Sequence, residues 1–259
     1  MIRMKYPLLK AMFFCFAIIL LSFWLGLLNA AQAGTPLKLY YEENAQIELI
    51  SPEGLRVLID VYDPSALSSP PTAKDVLLTT HNHGDHRRLD FVSSFSGKQL
   101  DVKTGEIKLK DVTIRGIASA HNEGDTFENE GGSNYIFIID MAGLRIAHFG
   151  DIGQEALTPE QLKVLGKVHI AITQLANMFS DMTAVNKKGF NLMDQVQPKL
   201  IIPTHIHDPT CAKIAAHQWI EFESYKKSLS FSTDNLPKTT TIIFMGSNAN
   251  IVKLPYSNL

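Results

Sequence analysis

Cysteine is nearly missing from this 259-residue chain, with only Cys15 and Cys211 present. Cys15 lies inside an apolar N-terminal run, so removal of that run leaves one thiol and no intramolecular disulfide. A framework of staples is therefore excluded, and the fold must rest on its core or on metal. Also lacking are low-complexity tracts, persuasive repeats and any linker that would set off a second folded module. No positive charge is in excess, since the formal balance is −2. Broad attraction to nucleic acid is not expected of such a chain. Hydrophobic residues reach 45% and charged ones 19%, a globular balance that excludes general disorder. The length is enough for one good core or two small ones.

The first 33 residues stand apart. Arg3, Lys5 and Lys10 precede the apolar run Ala11 to Leu28, and Ala31-Gln32-Ala33 comes before Gly34. A basic start, an apolar middle and a small-x-small end describe a secretory signal peptide over 1–33, leaving a mature domain over 34–259. The run is also about long enough to span a bilayer, so an uncleaved anchor is the rival reading. Loss of the segment removes three basic residues and no acidic one, taking the formal charge from −2 to −5. The expected location is periplasmic or secreted, with membrane attachment only through an uncleaved N-terminal segment.

From Leu37 onward the chain reads as strands followed by alternating strands and helices. Leu37–Tyr41 and Gln46–Ile50 form a hairpin pattern, Leu55–Val61 is an apolar strand, and Val76–Thr79 ends two residues before a histidine cluster. Glu106–Lys110 pairs with Val112–Ala118, and Tyr135–Ile139 with Leu144–Ala147 across Asp140-Met141-Ala142-Gly143. Thr158 caps a helix with Pro159 at its first position. Val168–Thr173 and Leu200–Ile202 are further strands around a helix at Lys188–Val196. A long amphipathic helix is expected from Ala212 to Leu229, with strands Thr241–Met245 and Ile251–Leu254 at the end. The pattern fits one α/β domain with sheets inside and helices outside.

The chemistry sits in His81-Asn82-His83-Gly84-Asp85-His86. From this composition, His-x-His-x-Asp-His would arise by chance in about one chain in two thousand, so the match carries weight. In an extended segment residues i and i+2 point the same way, so His81 and His83 can grip one metal ion. If a helix begins after Gly84, Asp85 and His86 turn toward a second. Imidazole and carboxylate suit zinc, and also manganese or iron. Three later residues stand at strand ends where a rigid sheet could aim them at the same place: His121, Asp151 between Gly150 and Ile152, and His205 after Pro203-Thr204.

Taken in order, His81-x-His83-x-Asp85-His86, His121, Gly150-Asp151 and Pro203-Thr204-His205 resemble the metallo-β-lactamase-fold hydrolases. His148-Phe149-Gly150-Asp151-Ile152-Gly153 and the Ile-Ile-Pro-x-His ending are similar to the ascorbate-phosphate-lactonase-like branch of that superfamily. The resemblance spans about Leu37 to Leu254 and implies a four-layer αββα sandwich. It also implies that His81, His83 and His121 hold a first metal ion, that Asp85, His86 and His205 hold a second, and that Asp151 bridges both. Arg87-Arg88 and Ile152 depart from the family pattern, which commonly has small or apolar residues after the motif and Thr after the bridging Asp.

These features lead to an expected function: an exported metal-dependent hydrolase with two divalent ions, zinc above manganese or iron. A hydroxide activated between the ions would attack an ester, lactone, amide or phosphoester of small size. Asp85 and Asp151 are the catalytic carboxylates, Asp85 orienting the nucleophile or passing its proton. The rivals are an iron-dependent oxidoreductase on the same ligand set and a non-catalytic metal-binding module. His148 reads equally as a hydrogen-bond partner of Asp151 or as a packed strand-end residue, and His207 as a surface residue or a substrate contact.

Overall fold

The computed structural model describes residues 35–128, 131–223 and 227–251. The expected signal segment, 1–33, lies outside the described residues. Two sheets carry the domain. The first is built by β1 (Leu37–Tyr41), β2 (Ile47–Ile50), β3 (Arg56–Ile59), β4 (Val76–Thr79) and β5 (Lys98–Asp101). The second begins with β6 (Gly105–Lys108), β7 (Val112–Ser119), β8 (Asn134–Met141) and β9 (Leu144–His148). It continues through β10 (Ile170–Thr173), β11 (Leu200–Pro203) and β12 (Ile220–Glu223). Thereafter β13 (Ser228–Phe231) returns to the first sheet against β1, and β14 (Thr241–Phe244) inserts between β11 and β12.

Hydrophobic alternation dictates the layering. Leu37, Leu39 and Tyr41 of β1 face the same side as Ile114, Phe137, Ile139 and Ile146 of the second sheet, and these meet in the central core. The other face of the second sheet buries Ile136, Ile138, Ala147 and Ala171 under helices. Those helices are α2 (Pro159–Leu165), α3 (Lys188–Val196) and α4 (Pro209–Gln218), numbered after α1 (Leu89–Ser94). Phe91, Val92 and Phe95, in and just after α1, cover Leu58 and Leu77 on the outer face of the first sheet. This is the expected αββα sandwich. The predicted Thr158 cap is present at α2 and is completed as a capping box, in which Thr158 and Gln161 bond each other's backbone and Pro159 opens the helix.

The structure corrects three details. The long helix expected from Ala212 to Leu229 stops at Gln218, because Trp219 turns extended (φ −114°, ψ 131°) and the chain is taken up by sheet edges. There, β12 runs parallel to β14 and β13 antiparallel to β1, so tertiary pairing overrides helical periodicity. No helix starts at Gly84. The segment instead makes a single turn, with the amides of His86 and Arg87 both bonded to the His83 carbonyl, and α1 begins only at Leu89. Ile251 ends a short helix, α5 (Asn248–Ile251), and the remainder of the expected last strand lies outside the described residues.

Candidate metal centre

Each motif residue reaches the site from the end of a strand. His81 follows β4 after Thr80, His121 follows β7, Asp151 follows β9 and His205 follows β11. The strands of both sheets thus deliver side chains to one edge of the sandwich. Two glycines make the Asp151 turn possible. Gly150 adopts φ +57°, and a Cβ there would run into Asn134 and Thr80. A Cβ on Gly153 would collide with the His121 carbonyl, so the loop after Asp151 can pass against the His121 backbone only as glycine.

The described residues gather all seven candidates. His81 Nε2 and His83 Nδ1 stand 3.2 Å apart, and His86 Nε2 and His205 Nε2 stand 3.1 Å apart. Two nitrogens bound at ordinary length to one tetrahedral zinc sit about 3.3 Å from each other, so both spacings suit a shared ion. His121 joins His81 and His83, and Asp85 joins His86 and His205, each set having ligand atoms within 4.8 Å. Between them lies Asp151. Its Oδ1 is 3.3 Å from His205 and 3.4 Å from His86, while its Oδ2 is 3.9 Å from His81 and 4.0 Å from His121. Buried Asp151 Oδ1 and His121 Nε2 have no hydrogen-bond partner. Orphaned buried acceptors and imidazole nitrogens aimed at one another are costly in a bare protein and natural in one that binds cations. The donor set fits divalent metal.

Burial, followed by the positive charge on His86, pushes the His81 imidazole down to about 3, which keeps it neutral and ready to ligate. His86 behaves oppositely. Burial would lower it, but the Asp60 carboxylate 2.9 Å from Nδ1 and Asp151 outweigh that and raise it to about 10. Burial would raise the Asp151 carboxyl, yet the His205 and His86 imidazoles 3.3 and 3.4 Å from Oδ1 hold it far below the usual carboxylate range. In the metal-free chain the second half of the site is a protonated His86 between two carboxylates. A metal ion there must displace that proton.

A prediction follows. Loading should reach two ions per chain, and affinity at the second half should strengthen as pH rises toward 10. His205→Ala should reduce loading to one ion. Native mass spectrometry across a pH series checks both, and saturation at a single ion in the unaltered protein would refute the paired arrangement.

Several residues hold the candidate ligands in place without any motif to mark that role. Asp60, fully buried and at φ +51°, accepts from Thr80 N and Thr80 Oγ1 (both 2.7 Å) as well as from His86. Thr80 Oγ1 lies 3.0 Å from His81 Nδ1, so one carboxylate orients a histidine of each half. A carboxylate closing the apolar Val57-Leu58-Ile59 run was the signal that could have found it. Asn177 donates to Asp151 Oδ2 at 2.8 Å, and Asn134 accepts the Asp151 amide at 3.0 Å. His148 does not bond Asp151. It accepts from Gly150 N and contacts the Ala45 carbonyl, which makes it a packed residue that sets the turn. Arg87 is engaged by Asp101 through two bonds of 2.8 and 2.6 Å. His207 lines the cleft beside the site.

Comparison with known proteins agrees with this geometry. Over 178 residues the chain is 26% identical to a UPF0173 metal-dependent hydrolase of Thermococcus kodakarensis, covering 58% of this chain and 76% of that protein. A UPF0173 metal-dependent hydrolase of Methanosarcina mazei is 22% identical over 177 residues, covering 58% and 75%. Among solved structures, a Thermotoga maritima protein assigned to the zinc-dependent hydrolases of the metallo-β-lactamase superfamily superposes with TM-score 0.58 at 20% identity. The match covers 81% of this chain and 98% of that one. A Parabacteroides distasonis protein assigned to the metal-dependent hydrolases gives TM-score 0.53 at 17% identity, covering 80% and 92%. These superpositions establish the metallo-β-lactamase fold. Residues 39–205 match the family described as the beta-lactamase superfamily domain, and this chain belongs to that superfamily.

Proposed function

We propose that this chain is an exported hydrolase that works with two divalent ions, zinc foremost, on a small ester, lactone, amide or phosphoester. The observation carrying this reading is the split of Asp151, whose two oxygens face different histidine sets at 3.3–3.4 Å and 3.9–4.0 Å. When bound, the ions would supply a water of lowered pKa and a Lewis acid for the substrate oxygen. The protein's own residues do the rest. Asp151 fixes the spacing of the two halves, and Asn177 fixes Asp151. Asp85, with half of its side chain exposed and Oδ2 3.8 Å from His86 Nε2, is placed on the cleft wall to orient the attacking water and carry its proton. The ascorbate-phosphate-lactonase-like branch is proposed on the His148-to-Gly153 and Ile201-to-His205 motifs. The deciding experiment is metal analysis of the purified protein, followed by a screen over lactones, esters, amides and phosphodiesters. Turnover that follows metal content supports the reading, and stoichiometric iron with oxygen consumption would replace it by an oxidoreductase.

The mature domain is proposed to span 34–259, with small-molecule partners and no nucleic acid. Intact-mass measurement on protein from the exporting host should show an N-terminus at Gly34. Full-length mass with membrane retention would replace cleavage by anchoring.

A further inference from the structure

The cleft at the candidate centre holds about 450 Å³, and none of the ten residues lining it is Lys or Arg. Three cations of the flanking segments are committed elsewhere. Arg87 is held by Asp101, Arg88 by Asp90 at 3.0 Å, and Lys188 by Glu123 at 2.6 Å and Asp181 at 3.1 Å. Arg87 also donates to Asn82 Oδ1 at 2.9 Å, which turns the Asn82 amide hydrogens into the donors that wall can offer. The charged groups that line the cleft besides histidine are the carboxylates Asp85 and Asp151. Phe179 also lines the cleft, with 70% of its surface exposed. Solvent exposure of an aromatic is ordinary in isolation, but this one is anchored. Its amide donates to Asn177 Oδ1 at 3.1 Å, and the same Asn177 donates to Asp151 Oδ2 at 2.8 Å. One side chain therefore sets the distance from an apolar platform to the carboxylate between the two metal sets.

Resting on the hydrolase reading above, we infer that the substrate carries an apolar group beside the scissile bond, seated on Phe179, and no negative charge remote from that bond. A remote carboxylate or phosphate would meet Asp85 with no Lys or Arg among the described lining residues to receive it, whereas an alkyl or aryl group buries area against the ring. The test is calorimetric binding of three hydroxamic acids to the metal-loaded protein, which needs no turnover. Hexanohydroxamic acid is expected to bind at least about tenfold tighter than acetohydroxamic acid through its buried methylenes. Adipic monohydroxamic acid, of equal length with a terminal carboxylate, is expected to lose at least about tenfold against the hexanoyl compound. Phe179→Ala should erase most of the hexanoyl gain and leave acetohydroxamic acid within about twofold. Equal binding of the adipic and hexanoyl compounds, or a gain that survives Phe179→Ala, would overturn the substrate assignment while leaving the metal centre standing. Failure of acetohydroxamic acid to bind the metal-loaded protein would instead overturn the metal-centre reading beneath it.

Discussion

Asp151→Asn is expected to fold close to the native state and to hydrolyse the screened substrate at least about a hundredfold more slowly, the scale of losing one preorganised electrostatic contact. The cause is geometric. Oδ1 serves the His86–His205 set and Oδ2 serves the His81–His121 side, so replacing either oxygen by an amide nitrogen puts a donor where a cation should be. Asn134 and Asn177 still hold the backbone amide and the remaining oxygen, which is why the turn should survive. Turnover and metal content are measured side by side. Near-native turnover with two ions still bound would remove Asp151 from the centre of the mechanism. Because His148 bonds Gly150 and not Asp151, His148→Ala should act through stability instead of metal geometry.

Asp60→Ala carries the largest expected stability effect. Asp60 and His86 are both fully buried, and Asp60 takes bonds from Thr80 N, Thr80 Oγ1 and His86 Nδ1. Removing one member of a buried charged pair strands the other, at a cost of about 3–5 kcal/mol. The sign with pH follows from His86. Its imidazole is raised to about 10, so the contribution is fully present below its unfolded value and fades as pH rises through 10. Urea unfolding of the metal-free protein at neutral pH measures the effect, and a loss under about 1 kcal/mol would refute the argument. Asp60→Asn keeps the shape. It should fold, and it should weaken metal at the His86 half by about tenfold to a hundredfold.

Much of this was legible because period and spacing are local. Val76–Thr79, Lys188–Val196 and the Thr158 cap fell where alternation, helical spacing and capping chemistry placed them. The β8–β9 hairpin followed from Ala142 and Gly143, which take φ of 52° and 75°. All seven candidate ligands that the fold gathers were readable, since a dense histidine motif and strand-end partners leave a mark in sequence. The region after Gln218 was not, because β12 and β13 exist only through partners distant in the chain, β14 and β1. The supporting residues failed to show for a similar reason. Asp60, Asn134 and Asn177 are single polar residues whose roles arise when strand ends and loops meet, and no spacing rule marks them.

Candidate ligands drawn from the ends of β4 in one sheet and of β7, β9 and β11 in the other have a further consequence. Ions bound there would tie the two layers at their rim by bonds that exist only in the folded chain. Mass action then makes metal concentration a folding variable: an ion a thousandfold above its dissociation constant contributes about 4 kcal/mol. For a chain with one thiol in its described residues, Cys211, buried and free, such a clasp would do the work of a disulfide. Unlike a disulfide it can be withdrawn by a chelator, so metal scarcity would be felt first as a loosening of the two layers against each other.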